Sequence, residues 1–253
     1  MNSMRDKMNN DEVILGAFLS EIGSTNILRI MKASGIQFII ADCEHGPFDY
    51  SQIASLAAVA NGLSLPIIVR VPNINREHIQ KYLDAGADGI LAPMTGTADD
   101  VRELVKYGKY APVGARGISL MRPHSEYNPG KLSTYMEKAN QRVMLFVQIE
   151  TQEGVGNAKE IASVEGLDGI FIGPNDLASD FGQPGEFRTA NMMDAIDKVI
   201  SASKKHNKSC GIITSDIPFI KECKEKGMTL FSCNSEVGLL YKGASQMIHD
   251  FMS

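Results

Sequence analysis

Residues 143–150 read VMLFVQIE: five apolar residues lead into Gln148, and Ile149 separates it from Glu150. An apolar run of this length suits a strand buried on both faces, as in a parallel α/β sheet. On a strand Gln148 and Glu150 share one face. Residues 169–174 (GIFIGP) repeat the pattern and end in Asn175 and Asp176. Two neighbouring buried strands thus each deliver a carboxylate at the carboxyl end, where α/β barrels keep their chemistry. Two carboxylates aimed at one point repel unless a cation lies between them. The competing reading makes both of them caps for the helices that follow.

Working outward, strand-like and helix-like segments alternate along the whole chain. Strands are predicted at 14–20, 38–42, 66–71, 89–93, 143–150, 169–174, 210–214 and 229–233. Helices are predicted at about 24–33, 49–61, 75–85, 97–107, 131–141, 189–205, 217–226 and 236–252. Ser24 or Thr25 is the expected cap of the first of these. The longest irregular stretch is 111–130. Eight βα units in 253 residues, with no break in composition, predict a single (β/α)8 TIM barrel spanning 1–253. A doubly wound sheet is the runner-up, but its first turn wants GxGxxG, and residues 21–25 read EIGST.

Composition narrows the function. Hydrophobic residues make up 43% and charged residues 22%, the balance of an ordinary globular protein. The net charge of -5, without a long basic run, argues against nucleic acid as a partner. No apolar stretch is long enough to span a membrane. The first twelve residues, MNSMRDKMNNDE, are polar and carry no signal-like apolar region. Cys43, Cys210, Cys223 and Cys233 show no CxxC spacing, so they read as reduced thiols and point to the cytoplasm.

On a barrel, the predicted carboxyl rim carries Asp42, Glu44 and His45, then Arg70, then Gln148 and Glu150, then Asn175 and Asp176. Thr214, Ser215, Asn234 and Ser235 complete it. Glu150 and Asp176 are candidate ligands of a hard divalent ion such as Mg²⁺ or Mn²⁺ that keeps several waters. His45 is a candidate general base; the alternative is a loop histidine in water. Arg70 suits a planar oxyanion, or else it pairs structurally with Asp42 or Glu44. Cys43 alternates with Asp42 and Glu44, so it faces the helix layer and packs there. No lysine stands at a predicted strand end, which argues against an imine and for a metal that polarises a carbonyl.

As a set, DCEHGPFD (42–49), IVRVP (68–72), YLDAGADGILAPM (82–94), GARG (114–117), VQIET (147–151) and IGPNDLA (172–178) resemble the class II, metal-dependent pyruvate aldolases of the 4-hydroxy-2-oxoheptanedioate aldolase family. That family lies in the phosphoenolpyruvate/pyruvate barrel superfamily. The resemblance implies cleavage of a 4-hydroxy-2-oxo acid to pyruvate and an aldehyde with Mg²⁺, Mn²⁺ or Co²⁺. It makes Glu150 and Asp176 metal ligands, and gives His45 an acidic partner, Asp84, from the next unit. Arg70 and Gln148 then contact pyruvate, whose carboxylate meets the amides around Asn175 and Asp176. Asp42 and Glu44 hold metal-bound waters. It also implies a hexamer, a trimer of dimers, with helix 236–252 exchanged between subunits. Relatives of its best-known branch carry a small residue where Asn175 stands. The alternatives are oxaloacetate decarboxylation through the same enolate, and a non-catalytic carboxylate-binding protein on the same fold.

Overall fold

The computed structural model describes residues 3–253. Eight strands form a closed parallel barrel in chain order. They are β1 (Ile14–Leu19), β2 (Phe38–Asp42), β3 (Ile67–Arg70), β4 (Gly89–Ala92), β5 (Met144–Ile149), β6 (Gly169–Ile172), β7 (Ser209–Ile213) and β8 (Leu230–Ser235). β1 pairs with both β2 and β8, which closes the sheet. The helices are α1 (Met4–Asn9), α2 (Asn26–Ala33), α3 (Tyr50–Gly62), α4 (Arg76–Asp84), α5 (Ala98–Gly108), α6 (Leu132–Arg142), α7 (Gln152–Gly156), α8 (Ala158–Ser163), α9 (Pro174–Asp180), α10 (Ala190–Lys205), α11 (Ile217–Glu225) and α12 (Glu236–Met252). Among the described residues no helix is long and apolar enough to cross a membrane.

Alternation along the strands sorts residues between two apolar regions. Ile14, Phe18, Phe38, Ile40, Ile68, Leu91, Met144, Phe146, Phe171 and Leu230 fill the barrel interior. Ile39, Ala41, Ile67, Val69, Leu145, Val147 and Ile170 point outward into the helix layer, with Cys43 beside them as predicted. Phe146 meets Phe171 edge-on at 5.6 Å between ring centroids. Gly16 makes room for such rings, since a Cβ there would stand 2.5 Å from the Phe38 ring.

Side-chain caps start several helices. Asp49 and Gln52 form a capping box on α3, and Thr97 and Asp100 form another on α5. The expected cap of α2 differs: Thr25 occupies the position, but its backbone is already helical and its side chain makes no capping bond. Three further departures are α1 and the short helices α7–α8 and α9. Ser3 and Asp6 box the start of α1, whose Met4 and Met8 lie one turn apart and are buried with the barrel interior. The polar composition of this segment conceals the pair.

Candidate active site

The carboxyl ends of β2 and β3 meet in register, with Asp42 opposite Arg70. The Asp42 carboxylate accepts from Arg70 Nε at 3.0 Å and Nη2 at 2.7 Å. It also accepts from the backbone N–H groups of Glu44 and His45, at 3.0 and 3.3 Å. Arg70 Nη1 lies 3.0 Å from Glu44 Oε2, and the guanidinium stacks over Phe18. Both structural partners foreseen for Arg70 are therefore engaged, while Arg70 still lines the cavity at the rim. His45 projects from the following loop, 71% exposed, with Nε2 3.9 Å from Glu44 Oε2.

On β5, Gln148 Nε2 donates to Glu150 Oε1 at 2.6 Å, which bears out their shared face. Glu150 Oε2 accepts from the Met94 N–H at 2.8 Å. Met94 has φ 48°, a left-handed conformation that aims its amide at the carboxylate. Gly173 lies so close that a Cβ there would stand 2.4 Å from Glu150 Oε1 and 2.6 Å from Gln148 Nε2. Asp176 sits in the first turn of α9. Burial pushes the Glu150 carboxyl up to about 8, against the Met94 bond and with the added repulsion of Asp176 and Glu44. Glu44 is also raised, first by burial, with Arg70 opposing. Gln148 Oε1 is buried without a hydrogen-bond partner.

His45, Arg70, Gln148, Glu150, Gly173 and Asp176 line a cavity of about 430 Å³. Its far wall carries Ser20, Thr214, Ser215, Asn234 and Ser235, and Asn175 borders it too. No lysine lines it among the described residues. Lys109 is instead buried on the edge of α5. Its Nζ donates to the Asn140 carbonyl at 2.8 Å and to the Val143 carbonyl, and burial drops it to about 8. Among the described residues no group of three or more His, Cys, Asp or Glu side chains is placed to hold a metal ion. Glu150 and Asp176, the expected ligand pair, both line the cavity.

Asp84 stands elsewhere. It ends α4, which runs from the carboxyl end of β3 back towards the amino end of β4. There it accepts from Arg116 Nη2 at 2.6 Å and lies 3.5 Å from His124 Nε2. One chain does not bring His45 and Asp84 together, because strand-to-helix loops and helix-to-strand loops occupy opposite ends of a barrel. Sequence reasoning missed the Met94 amide, the close approach at Gly173, and Arg116 as the partner of Asp84. A backbone N–H leaves no mark in a sequence, and Arg116 was visible only as part of GARG.

The model of the HpcH/HpaI aldolase/citrate lyase family matches residues 17–242. The chain belongs to that family. It is accordingly a carbon–carbon lyase of the phosphoenolpyruvate/pyruvate barrel superfamily. Hydroxypyruvate/pyruvate aldolase of Roseovarius nubinhibens is 28% identical over 247 residues, covering 98% of this chain and 95% of the relative. A 5-keto-4-deoxy-D-glucarate aldolase of Citrobacter koseri is 32% identical over 223 residues, 88% of this chain and 85% of the relative. The crystal structure of an HpcH/HpaI aldolase from Desulfitobacterium hafniense superposes with a TM-score of 0.94 at 25% identity, covering 99% of this chain and 97% of that one.

Proposed function

We propose that the protein cleaves a 4-hydroxy-2-oxo acid to pyruvate and an aldehyde through the pyruvate enolate. The observation that carries this reading is the convergence of Glu150, Asp176 and Gln148 on a cavity that no lysine lines among the described residues. A divalent cation suits this place: Glu150 is buried beside Asp176 and Glu44, and only added positive charge keeps such a carboxyl ionised at neutral pH. Two oxygen donors suit an ion that retains waters, so Glu150 and Asp176 are the assigned ligands, with Mg²⁺, Mn²⁺ or Co²⁺ as the ion. When bound, the ion polarises the 2-oxo group as a Lewis acid.

The chain's own residues do the rest. Arg70, braced by Asp42 and Glu44, presents a fixed positive charge to the oxygen that becomes the enolate oxygen. Gln148 and Asn175 border the pyruvate half, and Asp42 and Glu44 orient waters at the rim. His45 takes the proton from the 4-hydroxyl group as the carbon–carbon bond breaks. Asp84 assists His45 only from a second copy of the chain, since the two lie at opposite ends of one barrel.

Assembly enters the same reading. Beyond Glu236, α12 has no buried residue; Leu239 is 41% and Phe251 85% exposed. The stripe of Leu239, Leu240, Ala244, Met247, Ile248 and Phe251 does not pack on its own barrel, the other outcome the sequence allowed. We assign it to a second subunit, in a hexamer built as a trimer of dimers, and place the protein in the cytoplasm. Light scattering should show the oligomer, and deletion of 236–253 should dissociate it or leave it insoluble.

Assay of pyruvate with a panel of aldehydes, with Mg²⁺, Mn²⁺, Co²⁺ or chelator, tests the reaction. Metal-dependent carbon–carbon bond formation is expected. Oxaloacetate decarboxylation needs the same enolate but no proton from a 4-hydroxyl group. Loss of decarboxylation and aldol cleavage together in His45→Ala would count against the assigned role of His45.

A further inference from the structure

The wall of the cavity facing the pyruvate half comes from β1, β7 and β8. Ser20, the first residue after β1, is part of it. One side chain from the far end of the chain holds this loop. Glu236 opens α12 and is 2% exposed. Its Oε1 accepts from the N–H groups of Ser20, Glu21 and Ile22 at 3.0, 2.6 and 2.9 Å. Its Oε2 accepts from the Ser20 N–H at 2.9 Å and the Ser20 hydroxyl at 3.3 Å. Three successive amides enclosing one carboxylate form an anion nest, filled here by the chain itself.

The loop also touches the one that carries His45. A Cβ on Gly46 would stand 2.8 Å from the Ser20 carbonyl oxygen and 2.3 Å from that of Asp42. The backbones of the two loops are thus packed against each other at Gly46. A displacement of residues 20–22 reaches both the wall and the base. The pyruvate half, built on β3, β5 and β6, makes no bond to Glu236.

We propose that Glu236 is a positioning residue that fixes the aldehyde side of the cavity and ties it to the placement of α12. The proposal rests on the aldolase reading above. It makes the aldehyde half of the site depend on the helix assigned to the subunit contact, while enolate formation does not. Glu236 touches no reacting atom and acts through Ser20 and the His45 loop.

The test is Glu236→Gln, which keeps the shape but replaces an acceptor oxygen by a donor, with Glu236→Asp as a second variant that keeps the charge. Two reactions are measured on the assembled enzyme, its size checked by light scattering. They are solvent deuterium exchange into the pyruvate methyl group without aldehyde, and aldol addition of glycolaldehyde to pyruvate. Misplacement of about an ångström costs up to about 10²-fold, so kcat/KM for the aldehyde should fall about ten- to a hundred-fold, with methyl exchange within about twofold of wild type. Glu236→Asp should fall between, and it carries the test if Glu236→Gln does not fold. Wild-type aldehyde kinetics in both variants would overturn the proposal, as would equal loss of both reactions in an intact oligomer. Absence of methyl exchange in the wild-type enzyme would instead bring down the aldolase reading, and the positioning role with it.

Discussion

Two ionic clusters sit at opposite ends of this barrel, and their pairing differs. At the amino end Asp84 is matched by Arg116 and faced by His124, Arg116 stacks over Tyr110, and Arg5 bonds Asp168 at 2.6 Å. Its charges are closed on one another. At the carboxyl end Asp42 and Arg70 are equally well matched, but Glu150 is buried beside two further carboxylates, Asp176 and Glu44. Unpartnered buried polar atoms occur at both ends, Gln148 Oε1 here and Arg116 Nε and Arg5 Nε there, so the crowding of like charges is what sets the two apart. A buried carboxyl crowded by like charges costs free energy that a purely structural site would avoid. The open cluster is therefore the place proposed for the cation and the substrate, and the closed cluster holds the irregular stretch 111–130 against α4.

The largest expected effect attacks the open cluster. Glu150→Gln should lower kcat by about 10²–10³-fold or more, the scale of losing one preorganised stabiliser of developing charge. Its effect on stability sharpens the comparison. Burial pushes the Glu150 carboxyl up to about 8 in the fold against an ordinary 4.5, so the native state holds the extra proton between them. Stability of the metal-free protein should then fall as pH rises from 4.5 through 8, and Glu150→Gln should flatten that part of the profile. Denaturant titrations across this range, with chelator, would show it.

His45→Ala should lower kcat for aldol cleavage by about 10²–10⁴-fold. The side chain is exposed, so its melting temperature should barely move. A rate close to wild type at all pH values would place the base elsewhere.

The closed cluster should answer in stability. Arg116→Ala leaves Asp84 buried beside a weak partner and should cost about 3–5 kcal/mol, read from chemical denaturation. The smallest effect is a pH slope of opposite sign. Burial, then the nearby Arg116 charge, holds His124 below its ordinary 6.5. The unfolded chain therefore takes up its proton first, and stability should decline as pH falls through 6.5. His124→Gln should remove that decline. Matching pH slopes at the two ends would break the comparison.

The sequence made the barrel and half of its rim legible. Strand β5 and helix α12 were foreseen within a residue at either end because an unbroken apolar run and a helical stripe need no tertiary context. Asp42, Gln148, Glu150 and Asp176 were placed by strand alternation and rim position alone. What stayed hidden depends on the closed barrel. The Met94 amide reaches Glu150 through a left-handed backbone, and Gly173 matters only because the Gln148 and Glu150 side chains cross in front of it. Asp84, the partner of His45 by resemblance, lies at the other end of its own barrel because of helix direction, so that pairing is proposed only between two copies of the chain. The packing of α1 on the barrel was concealed by a polar segment whose two methionines are buried only once the barrel is closed.

The most direct test of the account is deuterium exchange into the methyl group of pyruvate, followed by NMR on the wild-type enzyme with chelator and then with added Mn²⁺ or Mg²⁺. Exchange is expected with the divalent ion, with loss on adding chelator, recovery on addition of the ion, and no recovery in Glu150→Gln. Full exchange after complete removal of divalent metal, or recovery in Glu150→Gln equal to wild type, would contradict it.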